Sequence, residues 1–423
     1  MVTRLGEGDA GAGPLPSHGE QAHLKADSDW PPAVIAGAFR TGVLGVRSLV
    51  RRNVRATLFD CDHSMSGFKS VYGPARLCPN PDLEPDAWLR FMLNLAGEHK
   101  QRPVLIASAD QFVTAISKHT DILKSHYIFS AGMALHGALA EKRTQYKLAR
   151  EHGMPMPRTE FVGSLEEVQA FGRSAAFPCV IKPNHFREWH RLPVDHPFSY
   201  QKVAVVNDAT QLCETYKLVS AVTPEVILQE MIQGDDSVKS VYLACYDSQG
   251  RRIANAMFRE LRCDPMYLGP ASVTEPFLDQ EADRICDNFL KSMGYCGICE
   301  IEVKRDTRDG RVKLIEANPR LTGGGDAAPY AGVDLCWLHY LDLIGRTPAP
   351  VAPSSKHFRH IILRSDARAV PAYLHAGAIT WREVLRSYRG PKAYFDLDWR
   401  DWRYSLETLY FTAGAFVSRM FRR

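Results

Sequence analysis

The segment Ile315-Glu316-Ala317-Asn318-Pro319-Arg320 limits the fold of this chain more than any other. Residues 298–304 and 311–317 are apolar, alternating runs on either side of Thr307-Arg308-Asp309-Gly310, which predicts a β-hairpin. Side chains alternate along a strand, so Glu316 and Asn318 share one face, and antiparallel pairing can bring Glu302 to it. Two carboxylates and an amide oxygen are hard donors. They suit Mg²⁺, which takes a few protein oxygens and completes its shell with substrate phosphate and water. The alternative is a pair of exposed acids on a solvated strand.

Upstream of the hairpin the text alternates between strand and helix signals. Ala33-Val34-Ile35-Ala36 reads as a strand, 46–53 as a helix and 54–59 as a second strand ending in Asp60. This β-α-β unit carries the glycines Gly37, Gly42 and Gly45 at its turn, where ordered amides could hold an anion. The spacing is not G-x-G-x-x-G, so a doubly wound domain without a dinucleotide is favoured over an NAD site. A third strand, 103–107, leads to Asp110, which is placed either at a ligand crevice or as a helix cap.

Further strands are expected at 177–183, 202–206, 226–230, 238–246 and 252–262, with helices at 141–151 and 281–293. Lys142 lies on the basic helix, Lys182 ends a buried-type strand, and Lys202 follows the polar loop 184–201. A lysine at the edge of a hydrophobic strand is costly unless an anion meets it. With the hard-donor set, these cations suggest a triphosphate.

Composition excludes several classes. The 423 residues carry a net charge of +4, too little for a strong electrostatic commitment to nucleic acid or anionic membrane, and no run is apolar enough to span a bilayer. The ten cysteines are scattered, as expected of buried thiols in a reducing cytoplasm, and Cys296–Cys299 lacks the second pair of a zinc site. Residues 1–30 read as a disordered leader. The tail 404–423 mixes apolar residues with Arg419, Arg422 and Arg423. It reads as a membrane-surface helix or as one packed on its own domain or a partner subunit.

Together these motifs resemble the ATP-grasp superfamily. The order is helix-Lys142, Gly153-Met154-Pro155-Met156-Pro157, Pro178-x-x-x-Lys182-Pro183, Gln229-Glu230, then Glu302…Glu316-x-Asn318-Pro319-Arg320. The likeness covers roughly residues 32–345, and its two strongest strands lie about 130 residues apart. The stretches 258–269 and 294–306 are most similar to the carboxylate–amine ligase group with D-aspartate ligase-like proteins.

The resemblance implies an α/β (α+β) ATP-grasp fold with an N-terminal doubly wound parallel-sheet domain at 31–125. It implies an ATP-grasp domain at 126–345, with a small lobe at 150–230 and a large lobe at 231–345. A helical C-terminal extension follows at 346–423. Lys142 and Lys182 would hold ATP phosphates, and Gln229, Glu230 and Ile232 would clasp adenine. Asp235 or Asp236 would meet the ribose. Glu302, Glu316 and Asn318 would hold Mg²⁺, with Mn²⁺ as a substitute, and Arg320 would stabilise the transferring phosphoryl group or the acyl phosphate. Arg262 would pair with a substrate carboxylate, and Asp326, beyond the glycines 323–325, could meet an ammonium.

The loop 184–201 departs from the family pattern. It has no glycine and carries His185, Arg187, His190 and Arg191, so side-chain cations would replace a backbone phosphate cradle. The expected activity is an ATP-dependent, ADP-forming carboxylate–amine ligase acting on an amino acid or small peptide. The expectation leaves a homodimer open. The rivals are a non-catalytic ATP-binding regulatory protein and an NAD-dependent oxidoreductase.

Overall fold

A computed structural model describes residues 29–420 apart from 185–187, 200, 202 and 347. Residues 1–28 of the proposed leader, Lys202, His185 and Arg187, the side chain of His190, and Arg422 and Arg423 lie outside the described residues, whereas Trp30, the leader's last residue, is buried and stacks on Trp337.

The N-terminal unit is a parallel four-stranded sheet of β1 (Ala33–Ala36), β2 (Ala56–Asp60), β3 (Ala75–Leu77) and β4 (Val104–Ala107), in the order β3-β2-β1-β4. Both faces of β1 are buried because its side chains alternate. Ala33 and Ile35 join Val46 and Leu49 of the helix Arg40–Val50. Val34 and Ala36 join Trp88 and Phe112 of the helices Pro85–Gly97 and Asp110–Lys118. This is doubly wound packing.

The helix expected at 46–53 begins at Arg40, so Gly42 and Gly45 lie inside it and do not form a loop. A side chain at Gly42 would fall within 1.9 Å of the Gly37 carbonyl oxygen, so the glycine permits the close approach of helix and strand. Gly37 itself has φ of +114°. The amide of Ala38 donates to Asp60 Oδ2 at 2.8 Å, so this turn amide is taken by the residue an NAD reading would assign to ribose.

A second, antiparallel sheet holds β5 (Thr159–Val162), β6 (Cys179–Pro183), β7 (Ala204–Val206) and β8 (Val226–Glu230), in the order β5-β8-β6-β7. The third contains β9 (Lys239–Tyr246), β10 (Arg252–Cys263), β11 (Ala271–Pro276), β12 (Gly297–Arg305), β13 (Val312–Asn318), β14 (Arg359–Ile361) and β15 (Lys392–Ala393). Its order is β13-β12-β9-β10-β11-β14-β15. The segment beyond 346, expected as a helical extension, therefore also supplies two strands to the large sheet. It does so because β11 leaves an edge on which Val273 pairs with Ile361.

The chain passes from the second sheet to the third through residues 231–238, and a cavity opens between them. Cys296 and Cys299 are buried, and all ten cysteines are free thiols. Among the described residues no helix is long and apolar enough to cross a membrane.

Candidate active site

The β12–β13 register places the carboxylates as the sequence pattern expects. Glu302 faces Glu316 directly, and Glu300 faces Asn318 one pleat further along. The helix Lys142–Glu151 is pinned to this strand pair. Gln145 Nε2 donates to the Ala317 carbonyl at 2.6 Å and Gln145 Oε1 accepts from the Ala317 amide at 3.0 Å. Tyr146 Oη donates to the Ile315 carbonyl at 3.0 Å. Glu141 caps the helix by accepting from the amides of Arg143 and Thr144. Lys142, the first residue of that helix, is thereby fixed at the cavity mouth.

The cavity, about 200 Å³, is lined by Lys142, Lys182, Gln229, Glu230, Ile232, Glu302 and Glu316, among others. Seven of the residues singled out in the sequence thus meet in one space, although they come from five separate stretches of the chain. Lys182 Nζ donates to Gln229 Oε1 at 2.7 Å, and Gln229 Nε2 donates onward to Thr159 Oγ1 at 2.8 Å. Burial pushes the Lys182 ammonium below the usual lysine range, and Glu316 and Glu302 act in the opposite direction. Beyond Glu230 the backbone is tied to both sheets, because the Met231 amide donates to the Pro178 carbonyl and the Thr307 amide to the Gln233 carbonyl.

Asn318 and Arg320 are not among the residues that line this cavity; Asn318 lies one pleat along β13 from Glu316, and Arg320 lines a separate small cavity. Asn318 Nδ2 donates to Glu300 Oε1 at 3.3 Å, and Arg320 Nη2 donates to Asn318 Oδ1 at 3.1 Å. Arg320 also grips Asp110 with two bonds, Nε to Oδ1 at 2.5 Å and Nη2 to Oδ2 at 2.8 Å. Asp110 is the first residue of its helix at the carboxyl end of β4, so the N-terminal sheet reaches the site through this pair.

Four expected site residues are engaged elsewhere. Arg262 sits between two register shifts of β10, which turn its side chain toward the C-terminal segment. There its Nε and Nη2 donate to Asp366 at 2.8 and 2.9 Å, and it is buried away from the cavity. A guanidinium so engaged has no fork left for a substrate carboxylate. Asp236 is likewise buried, because the short turn Asp236–Val238 directs its carboxylate to the Tyr373 hydroxyl. The other ribose candidate, Asp235, accepts from the amide and hydroxyl of Ser237. Asp326 is buried 3.2 Å from the Arg40 guanidinium of its own chain and 3.4 Å from the His360 ring, which burial holds neutral.

The sequence reading passed over Lys239 and Glu300. Lys239 opens β9, lines the cavity, and places its ammonium 2.9 Å from Glu302 and 3.1 Å from Glu260. Burial opposes its charge, but the two carboxylates outweigh that and raise it well above the usual range. Glu300 accepts from Thr322 Oγ1 at 2.7 Å, and burial, reinforced by Glu302, pushes its carboxyl up to about 8. The signal for Glu300 was available: it lies two residues before Glu302 and so on the same strand face. Lys239 had none, since only β9–β10 pairing brings it beside Glu260.

The donor chemistry fits Mg²⁺. Glu302 and Glu316 are cross-strand neighbours with Asn318 one pleat away, all hard oxygen ligands. Among the described residues there is no group of three or more His, Cys, Asp or Glu side chains placed to hold a metal, so the amide would have to complete the set.

No protein-family profile matches this sequence. It is similar to a D-aspartate ligase from Enterococcus faecium (strain Aus0004), 27% identical over 262 residues, which are 57% of this chain and 59% of that protein. The likeness thus spans well under two thirds of the relative. Among solved structures, the ADP complex of purK, N5-carboxyaminoimidazole ribonucleotide synthetase, superposes with a TM-score of 0.62 at 13% identity, over 82% of this chain and 86% of the other. The L-amino acid ligase from Bacillus licheniformis gives 0.55 at 14% identity, covering 74% of each chain. Biotin carboxylase from Campylobacter jejuni gives 0.55 at 13%, over 75% and 71%. The chain is therefore similar to a D-aspartate ligase over part of its length and shares the fold of these solved structures, the ATP-grasp fold.

Proposed function

We propose that this protein is an ATP-dependent, ADP-forming carboxylate–amine ligase whose carboxylate or amine substrate is an amino acid or small peptide. The observation that carries the reading is the convergence of Lys142, Lys182 and the Glu302–Glu316 pair on one cavity beside the 231–238 crossing. The names of the D-aspartate ligase and of the L-amino acid ligase support the substrate class. We take residues 31–125, 126–345 and 346–423 as the N-terminal unit, the ATP-grasp domain and a C-terminal segment joined to its large sheet. The free thiols fit a reducing compartment, hence the cytoplasm.

In this reading a substrate carboxylate oxygen attacks the γ-phosphorus of ATP, and the bond to the β–γ bridging oxygen breaks to release ADP. The amine then attacks the acyl phosphate carbonyl. Inorganic phosphate leaves, the nitrogen gives up a proton, and an amide remains. Such transfer depends on positioning and charge neutralisation more than on covalent catalysis by the protein. Lys142 and Lys182 meet phosphate oxygens, Glu230 and Ile232 border the base, and Gln229 holds the Lys182 ammonium in place. Glu302, Glu316 and Asn318 would hold Mg²⁺, or Mn²⁺ in its stead. The ion, when bound, offsets charge on the phosphate oxygens. Arg320 adds fixed positive charge beside that set.

The reaction class is tested by phosphate release from ATP and Mg²⁺ against amino-acid pools, deconvoluted to single compounds. Release that depends on one acid and one amine, with an amide of the summed mass, is the expected result. ATP binding without release across the pools would replace this reading with a nucleotide-binding regulator. A second measurement isolates the lysine. Lys182→Ala removes a charge-assisted phosphate contact, so ATP affinity by calorimetry should fall about ten- to a hundredfold. Unchanged titration would remove Lys182 from the phosphate site.

A further inference from the structure

The helix Trp402–Met420 has two apolar faces. One packs inward: Tyr404 is buried, Arg47 lies over its ring at 4.7 Å, and Arg364 lies over the ring of Phe411 at 4.5 Å. The other faces solvent. Trp402, Leu406, Leu409, Tyr410 and Val417 are 53%, 58%, 47%, 77% and 55% exposed. Their spacing of four, three, one and seven residues puts them on a single stripe, which runs about 22 Å along the helix axis. Trp399, just before the helix, is 82% exposed and extends the stripe. Single exposed apolar residues are ordinary, but a continuous stripe of this length marks a contact surface.

The charge around the stripe indicates what covers it. From residue 346 onward the chain has fourteen Lys and Arg against six Asp and Glu, whereas the whole protein carries only +4. The excess is therefore confined to this segment, and the remainder of the chain is net acidic. Arg400 and Arg403 lie over the rings of Trp399 and Trp402 at 5.0 and 5.3 Å, and Arg419 follows Val417. Within 399–423 itself the chain has five arginines against Asp401 and Glu407, so a second copy docking through the same face would set two basic stretches against each other. An anionic surface would not.

We propose that this aromatic, arginine-flanked face binds the surface of an anionic phospholipid bilayer. The helix would lie in the plane of the headgroups with Trp399, Trp402, Leu406, Leu409 and Val417 at the acyl boundary. The inward face already fixes the helix to the protein, so docking requires no unfolding.

The test is flotation of the full chain with vesicles of equimolar phosphatidylcholine and phosphatidylglycerol, and with phosphatidylcholine vesicles alone. Wild type should float with the anionic vesicles and be released by high salt. Arg400→Glu/Arg403→Glu should weaken binding at least about 25-fold, since each arginine near the surface contributes about fivefold. Leu406→Glu/Val417→Glu should abolish it. Neither pair touches the nucleotide cavity, so ATP-dependent phosphate release in solution should persist and report an intact fold. The proposal is overturned if wild type fails to float with anionic vesicles at low salt, or if Leu406→Glu/Val417→Glu floats as well as wild type. It is also overturned if wild type is a dimer by light scattering that this variant converts to monomer, because the stripe would then be a subunit interface.

Discussion

Replacing Glu316 by alanine should lower ATP-dependent phosphate release by about a thousandfold or more while leaving the protein folded. The size follows from loss of one of two facing carboxylates that would hold the cation on the phosphates, an electrostatic contribution of several kcal/mol at about 1.4 kcal/mol per decade of rate. The fold should survive because Glu316 is only partly buried and its strand is held by other contacts. Gln145 binds the Ala317 backbone on both sides, and Tyr146 holds the Ile315 carbonyl. Glu302 keeps its partner Lys239 at 2.9 Å. A thermal melt beside the rate measurement separates the two effects. Near-normal release by Glu316→Ala, under conditions where wild type turns over, would defeat the metal assignment and with it the ligase reading. Glu316→Gln sharpens the test, since it keeps shape and removes charge.

Local pattern carried much of this site, and its limits are equally specific. The hairpin was legible because β12 and β13 are contiguous in sequence, alternate regularly and turn at Thr307–Gly310, so register followed from spacing. The place of Lys182 on the cavity was legible because it ends an apolar strand, and there its ammonium bonds Gln229. Arg262 was misplaced because the sequence does not show the register shifts of β10, and a bulge re-aims a side chain without changing the hydrophobic pattern. Asp236 was misplaced by a turn of three residues. The strands β11, β14 and β15 went unread for a related reason. β14 and β15 are short and gain partners from about ninety and about thirty residues away, which no local window contains, whereas β11 pairs with the nearby β10 across its register shifts. The glycines at 42 and 45 looked like a loop because helix propensity disfavours them, whereas they lie inside a helix, Gly42 against the Gly37 carbonyl after β1 and Gly45 against the side chains of Leu321 and Ile35.

Arg320→Ala should reduce turnover by about a thousandfold, and Asp110→Asn by about tenfold or more, with ATP affinity nearly unchanged in both. The two should not add: in an Arg320→Ala background, Asp110→Asn should cost little further. The reasoning rests on the bidentate pair. Asp110 occupies Nε and Nη2 of Arg320, which fixes the plane of the guanidinium while Nη2 also reaches Asn318 Oδ1. Burial opposes the arginine's charge, but Asp110 outweighs it and holds the group firmly protonated. If Arg320 neutralises the transferring phosphoryl group, then loosening its plane harms the transition state more than nucleotide binding, and kcat falls while KM for ATP stays. A purely structural pair behaves differently. Asp110 is half exposed, so the pair would contribute little to stability, and Asp110→Asn would lower the melting temperature slightly with kcat intact. Additive losses in the double variant would show that Asp110 acts on substrate by itself. A flat kcat would show that the N-terminal sheet meets Arg320 only to dock.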